Sequence, residues 1–428
     1  MYSRFSNSML GHYKRIISPI TILIILGSFS VQAEDLDKSF KDTGFVSSAI
    51  EWLREAERQG DLQIHGFASQ AYIKTSGNDV FGDSDKKGSF GFTEIGLNAS
   101  LRILPKLQIS AQALSRRAGK GNSGIPRLDY GFLDYRLISR ETNQFGLRIG
   151  RLKNPLGFYN DTRDMAFTRP SILLPQSIYF DRTRNLALSS DAVQLYGETS
   201  STNIGNFFFQ FGFIRPIVDD KDTELALLSN DRPGDLTPKL SYIGRGSYES
   251  NDGRLRFSVS GAQVNIGYDP GKFDAISAGS IQFSPFIFSA QYNTEHWSLT
   301  SEYALRHFKY NNFGVIPDTD FFGESYYFQG TYRFNPHWEG VLRYDLLFTD
   351  REDRDGKEFA SRSGQPRYSR FAKDITVGLR WNITPEFMLR TEYHRINGTA
   401  WLSVLDNPNS VDTRQHWNLF SVQASYRF

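Results

Sequence analysis

The sequence predicts an all-β protein, a 16-stranded antiparallel transmembrane β-barrel with a short N-terminal periplasmic helix. Three observations carry that expectation. Segment after segment beyond residue 61 alternates apolar and polar side chains with period two, so that each strand offers one face to lipid and one to water. Short turns and long connections alternate between those segments, as they do at the two ends of a membrane barrel. Finally, mean hydropathy is −0.43 although aromatic residues make up 14% of the chain. Such a chain is polar on average and apolar on alternate residues, and it has no long apolar run after the first 33 residues.

The N-terminus reads as an export signal. Lys14 and Arg15 precede an apolar run, Ile16–Val31, which ends at Val31-Gln32-Ala33 before acidic residues, so cleavage is expected after Ala33. An uncleaved anchor is the alternative, but the apolar core is short for the ~20 residues a spanning helix needs. Residues 34–61 form an N-terminal segment containing a helix over 45–59. In it Val46, Ala49, Ile50, Leu53 and Ala56 form a stripe and Gly60 a stop. That helix either oligomerises, plugs the barrel mouth or caps the rim; at about two heptads, a cap is favoured.

The barrel is expected over 62–428. Its strands fall at 62–74, 91–103, 107–117, 127–138, 144–153, 191–199, 206–215, 238–248, 253–266, 277–292, 296–308, 322–334, 338–348, 372–382, 386–396 and 416–428. In the second, Ile95, Leu97, Ala99, Leu101 and Ile103 oppose Glu94, Asn98, Ser100 and Arg102. The seventh sets Phe207, Phe209, Phe211 and Phe213 outward. The thirteenth sets Trp338, Leu342, Tyr344, Leu346 and Phe348 against Glu339, Arg343 and Asp345. The fourth and tenth alternate poorly, the tenth being interrupted by Pro285. Long connections lie at 75–90, 118–126, 154–190, 216–237, 267–276, 309–321, 349–371 and 397–415.

In the last strand Phe428, Tyr426, Ala424, Val422 and Phe420 share one face, and Arg427, Ser425, Gln423 and Ser421 the other. A soluble edge strand can alternate in the same way. An ending on an aromatic residue with Tyr two places before it nonetheless resembles the closing strand of Gram-negative outer-membrane barrels. The resemblance implies a cell outer-membrane location, with lipid and lipopolysaccharide around the barrel and the barrel-assembly machinery reading Phe428.

The third long connection, 154–190, resembles in position the loop that folds into the lumen of sixteen-stranded porins and constricts it. Pro155, Pro170 and Pro175 stiffen it, and its length is unusual without such a role. It concentrates charge: Lys153, Arg163, Arg169, Arg182 and Arg184 stand among Asp161, Asp164, Asp181 and Asp191. Cations at a constriction favour anions, interleaved acids make a transverse field, and some of these pairs simply pin the loop; all three readings stay open. Inward-phase strand positions lean basic, among them Arg102, Arg148, Arg254, Arg256, Arg343 and Arg380, with Arg116, Arg245, Arg306, Arg333, Arg390 and Arg427. They face fewer acids, such as Glu94, Glu198, Glu302, Glu339, Asp345, Asp374 and Glu392. That excess favours anionic or neutral solutes.

Gly150-Arg151-Leu152-Lys153-Asn154-Pro155-Leu156-Gly157 is similar to the G-x-x-K-x-P-x-G corner of porins in the phosphate-selective O/P superfamily. The resemblance implies a homotrimeric channel. The family's arginine ladder and phosphate-binding lysines have no residue-by-residue match here, so phosphate selectivity is not implied.

Other function classes find little support. The mature chain would carry a net charge of about −1, since the signal holds three basic residues and no acid. That argues against nucleic acid as a partner. Zero cysteines exclude a disulfide framework and thiolate chemistry. No G-x-S-x-G, H-E-x-x-H or P-loop is present, so neither an enzyme nor a cofactor is expected. The acidic stretch Asp350–Glu358 departs from a calcium loop at Arg351, so no metal is expected. The sequence thus predicts a porin passing small hydrophilic solutes; a surface-recognition barrel of adhesin or receptor type is the alternative.

Overall fold

Alternating strands satisfy their backbone only by pairing on both sides, and a closed ring leaves no unpaired edge for lipid to meet. The computed structural model describes residues 55–56, 59–228, 231–315 and 317–428, and among them it closes such a ring. The signal segment, most of the 34–61 segment and most of the 45–59 helix lie outside the described residues.

Sixteen strands form the barrel. They are β1 Leu62–Thr75, β2 Ser89–Leu104, β3 Leu107–Ala118, β4 Arg127–Ser139, β5 Asn143–Lys153, β6 Ser189–Ser201, β7 Gly205–Pro216 and β8 Ser241–Glu249. The second half comprises β9 Leu255–Asp269, β10 Gly279–Asn293, β11 Trp297–Asn311, β12 Thr319–Arg333, β13 Trp338–Phe348, β14 Phe371–Asn382, β15 Phe387–Gly398 and β16 His416–Arg427. Each pairs antiparallel with its sequence neighbours, and β16 returns to β1 with Phe67 opposite Arg427 and Thr75 opposite Leu419. Gly66 and Phe428 exchange both backbone hydrogen bonds, at 3.2 and 3.0 Å. Two short segments, Asn122–Ser123 and Asp235–Pro238, add to the long-loop edges of β3 and β9.

The two weakly patterned strands have local causes. In β4 the pairing with β3 skips Asp129, so Leu128 and Leu133 both point outward although five positions apart. Such a bulge inverts the phase and turns the Asp129 carboxylate inward. In β10 the ladder to β9 is unpaired opposite Pro285, where the proline's missing donor costs no bond, and the strand runs through.

The outer face is apolar. Phe207, Phe209, Phe211 and Phe213 are all exposed on it, as are Ile95, Leu299, Phe328 and Val377. Near the short turns Trp297 lies 4.5 Å from Tyr332, and Trp338 stacks on Trp381 at 5.2 Å, an aromatic girdle of the interfacial kind. Leu346 and Phe348 keep the outward phase but are buried against Tyr368 and Phe371 at the long-loop rim. No described helix is long and apolar enough to cross a membrane.

The largest apolar cluster lies inside the ring. Ile73, Phe92, Leu347, Ile396 and Leu419 point inward from the wall and enclose Phe81, Ile172, Leu173, Trp401 and Leu402 from three long loops. The lumen along β1, β2 and β13–β16 is therefore filled by apolar side chains near its long-loop end.

Candidate functional site

The connection between β5 and β6 enters the barrel at the corner where its glycines are indispensable. Gly150 has φ 134°, and a side chain there would meet the Gly131 carbonyl at 2.3 Å. Gly157 has φ 61° with its backbone against Tyr179 and Glu302. Between them Lys153 is clamped by Asp129 at 2.6 Å and Asp164 at 2.5 Å, and Asp164 also pairs with Arg184.

From that corner the loop crosses the lumen and bonds to most of the wall. Gly157 N–H donates to Ser260 on β9 at 2.9 Å. Glu302 on β11 accepts four hydrogen bonds. Two come from the loop, from Phe158 N–H (2.9 Å) and the Tyr179 hydroxyl (2.7 Å); two come from the wall, from Ser289 (2.5 Å) and Tyr327 (2.8 Å). Arg343 on β13 donates to Ser171 Oγ and the Leu173 carbonyl, and Arg390 on β15 to the Ser171 carbonyl. Glu392 accepts the N–H groups of Ile172 and Leu173, while His394 bridges it (3.2 Å) to Asp374 (2.8 Å). Arg306 and Ser325 both donate to the Ser177 carbonyl, at 2.9 and 2.8 Å.

The charged residues singled out in the sequence divide by placement. Arg163, Arg169 and Arg184 are buried. Arg169 pairs with Glu94 at 2.8 Å, and Arg163 donates to the Tyr179 carbonyl at 3.1 Å with Asp181 3.9 Å away. Burial pushes the Arg163 guanidinium down to about 10. Asp181 is held by Arg116 at 2.6 Å. These groups fasten the loop to the wall and to itself. Asp161, half-buried, meets Arg245 at 2.7 Å. Arg182 has no ion pair or side-chain hydrogen bond among the described residues, and its Nε is buried.

The inward arginines divide in the same way. Arg343 is fully buried under the loop. Arg148 pairs with Asp134 at 2.9 Å, and Arg256 with Glu249 at 3.3 Å while lying 5.2 Å over the Phe158 ring. Arg102 and Arg254 sit at the short-turn rim, 3.9 Å from Asp61 and 3.5 Å from Asp252, and Arg380 donates to Asn382.

Open space lies on both sides of the loop. Towards the short turns a chamber of about 570 Å³ is lined by Arg148, Arg245, Arg256, Asp134 and Glu198. Towards the long loops a second, of about 530 Å³, is bounded by β10–β12. Among the described residues no group of three or more His, Asp or Glu side chains could hold a metal ion.

Glu302, Tyr179 and His394 were not singled out as site residues from the sequence. Glu302 and His394 lie on the inward phase of their strands, which marks direction but not partner.

No protein-family model matches the sequence, and no curated protein matches it either. Solved structures match by fold. The anion-selective porin from Comamonas acidovorans aligns with TM-score 0.54 at 13% identity, covering 86% of this chain and 99% of its own. OprB of Pseudomonas putida aligns with TM-score 0.56 at 10% identity, covering 90% and 96%. The trimer form of OmpT, an outer membrane protein of Vibrio cholerae, aligns with TM-score 0.53 at 12% identity, covering 86% and 99%. At these identities the likeness is one of fold.

Proposed function

We propose that the barrel is an outer-membrane porin through which small hydrophilic solutes diffuse passively, with anions preferred. The observation that carries this reading is the 154–188 loop, held inside a sixteen-stranded ring by bonds to β2, β9, β11, β12, β13 and β15 with a charged chamber beneath it. A rigid inward loop narrows a channel without sealing the ring, and pore-lining charge then sorts the solutes. The long loops are extracellular and the short turns periplasmic.

In this reading Lys153, Asp164, Arg163, Arg169, Asp181 and Arg184 shape the constriction by holding the loop, whereas Arg182 and the Arg245–Asp161 pair act on the solute. Arg148 and Arg256 extend the field into the lower chamber. The neighbours described as an anion-selective porin and as a trimer form support anion preference and a homotrimer. The ring of Phe428 packs over Gly66 where the barrel closes, which suits an aromatic residue at the seam read during assembly.

Planar-bilayer recording tests the proposal. Unitary conductance in KCl and an anion-selective reversal potential under a salt gradient are expected. A non-conducting barrel would instead leave its loops as a recognition surface, and a cation-selective reversal would remove the anion preference.

A further inference from the structure

A barrel lumen is expected to be polar, yet the extracellular chamber is walled by aromatic rings. Phe283 on β10 stacks on Phe308 of β11 at 4.8 Å, and Phe308 stacks on Phe321 of β12 at 5.2 Å, with an interplanar angle of 16°. Tyr310 lies nearly parallel to Phe321, 6.4 Å away. These residues have the same inward phase as Arg306, so the ladder faces the lumen and not lipid. Its volume of about 530 Å³ falls within the roughly 300–1,000 Å³ of small-molecule sites.

Facing the rings are guanidinium groups that make no ion pair among the described residues. Arg182, on the inward loop, has no ion pair or side-chain hydrogen bond among the described residues. Arg370 lies 4.5 Å over the Phe359 ring. Arg306 donates only to main-chain carbonyls, those of Ser177 and Phe348, and lies 4.6 Å over Phe180. The buried arginines of the loop, Arg163, Arg169 and Arg184, each have a carboxylate within 4.0 Å. Burial, then the charge of Arg370, lowers the pKa of Arg182, with Asp222 offsetting part of the effect; an anion between the two guanidinium groups would relieve their repulsion.

We propose that this chamber is a binding site for aromatic carboxylates, with the ring lying on the Phe283–Phe308–Phe321 ladder and the carboxylate on Arg182 and Arg370. The site needs both halves of the ligand. A small hydrated anion gains the guanidinium contacts but leaves the rings wet, and a neutral aromatic leaves the cations unpaired. Guanidinium forks match a carboxylate in two parallel hydrogen bonds, and an aromatic wall accepts a flat ring by offset stacking. The inference rests on the porin reading for its meaning, since it names the solute class that the channel would concentrate at its mouth.

The test uses the full barrel and benzoate, with acetate, phosphate and benzyl alcohol as partial probes. In planar bilayers, benzoate added on the extracellular side should interrupt the KCl current at concentrations about tenfold below acetate or phosphate, and benzyl alcohol should not interrupt it. Arg182→Gln removes a side chain that makes no ion pair or side-chain hydrogen bond among the described residues; it should raise the half-blocking benzoate concentration about tenfold. Phe308→Ala should weaken benzoate but not phosphate.

Saturation-transfer NMR on the detergent-solubilised barrel reads benzoate binding without any current. Binding there with no KCl conductance would overturn the channel reading and keep the site. KCl conductance with equal effects of benzoate and acetate, or with benzoate block unaltered by Arg182→Gln, would overturn the site and keep the channel.

Discussion

Removal of the Glu302 side chain should release the inward loop. Glu302→Ala deletes the acceptor of four hydrogen bonds, two of which, from Phe158 N–H and the Tyr179 hydroxyl, join the loop to the wall. Hydrogen bonds to a charged acceptor contribute roughly 1.5–3 kcal/mol each, so the two tethers together hold the loop by about 3–6 kcal/mol. Opening should therefore become at least about 100-fold more frequent, at 1.4 kcal/mol per tenfold. Glu302→Gln is milder. The Phe158 N–H can still donate to the amide oxygen, while Tyr179 and Tyr327 can turn to accept from the new NH₂, so roughly a third of that effect is expected. Hydrogen exchange over residues 156–181 is the direct assay, with single-channel noise as its electrical counterpart. Glu302→Ala with unaltered protection in this segment and quiet currents would refute the claim that Glu302 tethers the loop.

Three further outcomes follow from the same geometry. Gly157→Ala places a side chain at φ 61° and 2.4 Å from the Tyr179 hydroxyl; it should lose about 1–2 kcal/mol to backbone strain alone, seen as a lower unfolding temperature on gels, and an unshifted transition would contradict it. Lys153→Met leaves Asp129 and Asp164 facing each other across the loop corner, and about 3 kcal/mol of stability should disappear from urea unfolding; a loss below about 1 kcal/mol would mean the clamp is inert. Burial pushes the Asp222 carboxyl up to about 6 where it meets Ser403, so the docked state holds its proton more tightly than the opened one. Docking of 220–228 on 401–406 should then weaken as pH rises from about 4 to about 6, and exchange at pH 5 and 7.5, corrected for intrinsic rates, checks the sign. Tighter docking at the higher pH would show the carboxyl to be stabilised in its charged form.

The strands were legible because membrane barrels impose one rule on every residue of a strand. Segment 338–348 was placed at its observed bounds, and 238–248 against Ser241–Glu249 shows the size of the usual error. β4 read poorly because the bulge at Asp129 inverts its phase, and a phase change looks like noise to a period-two count. The loop's charge was legible as composition, but its pairing was not. Whether Arg169 faces water or Glu94 depends on how a 35-residue connection folds against strands 75 positions away. In sequence Arg163, Arg169 and Arg184 stand on the same footing as Arg182, and only the three-dimensional arrangement, which gives those three ion pairs, sets Arg182 apart. The aromatic ladder carries a signal in Phe308 and Tyr310, which share the phase of Arg306, but the sequence pattern ends the eleventh strand at 308, short of Asn311.

The bond between Gly66 and Phe428 sets an order of events. Until the last strand arrives, β1 has one bare edge, and the pairing that covers it joins residues at the far ends of the chain, Phe67 with Arg427. Contacts so distant in sequence form late because the intervening chain must first be drawn together. The ring can therefore seal only once β16 has been made, and a chain cut before it keeps an open seam. Closure is in effect a check, performed by the barrel on itself, that β16 is present at the seam beside Gly66.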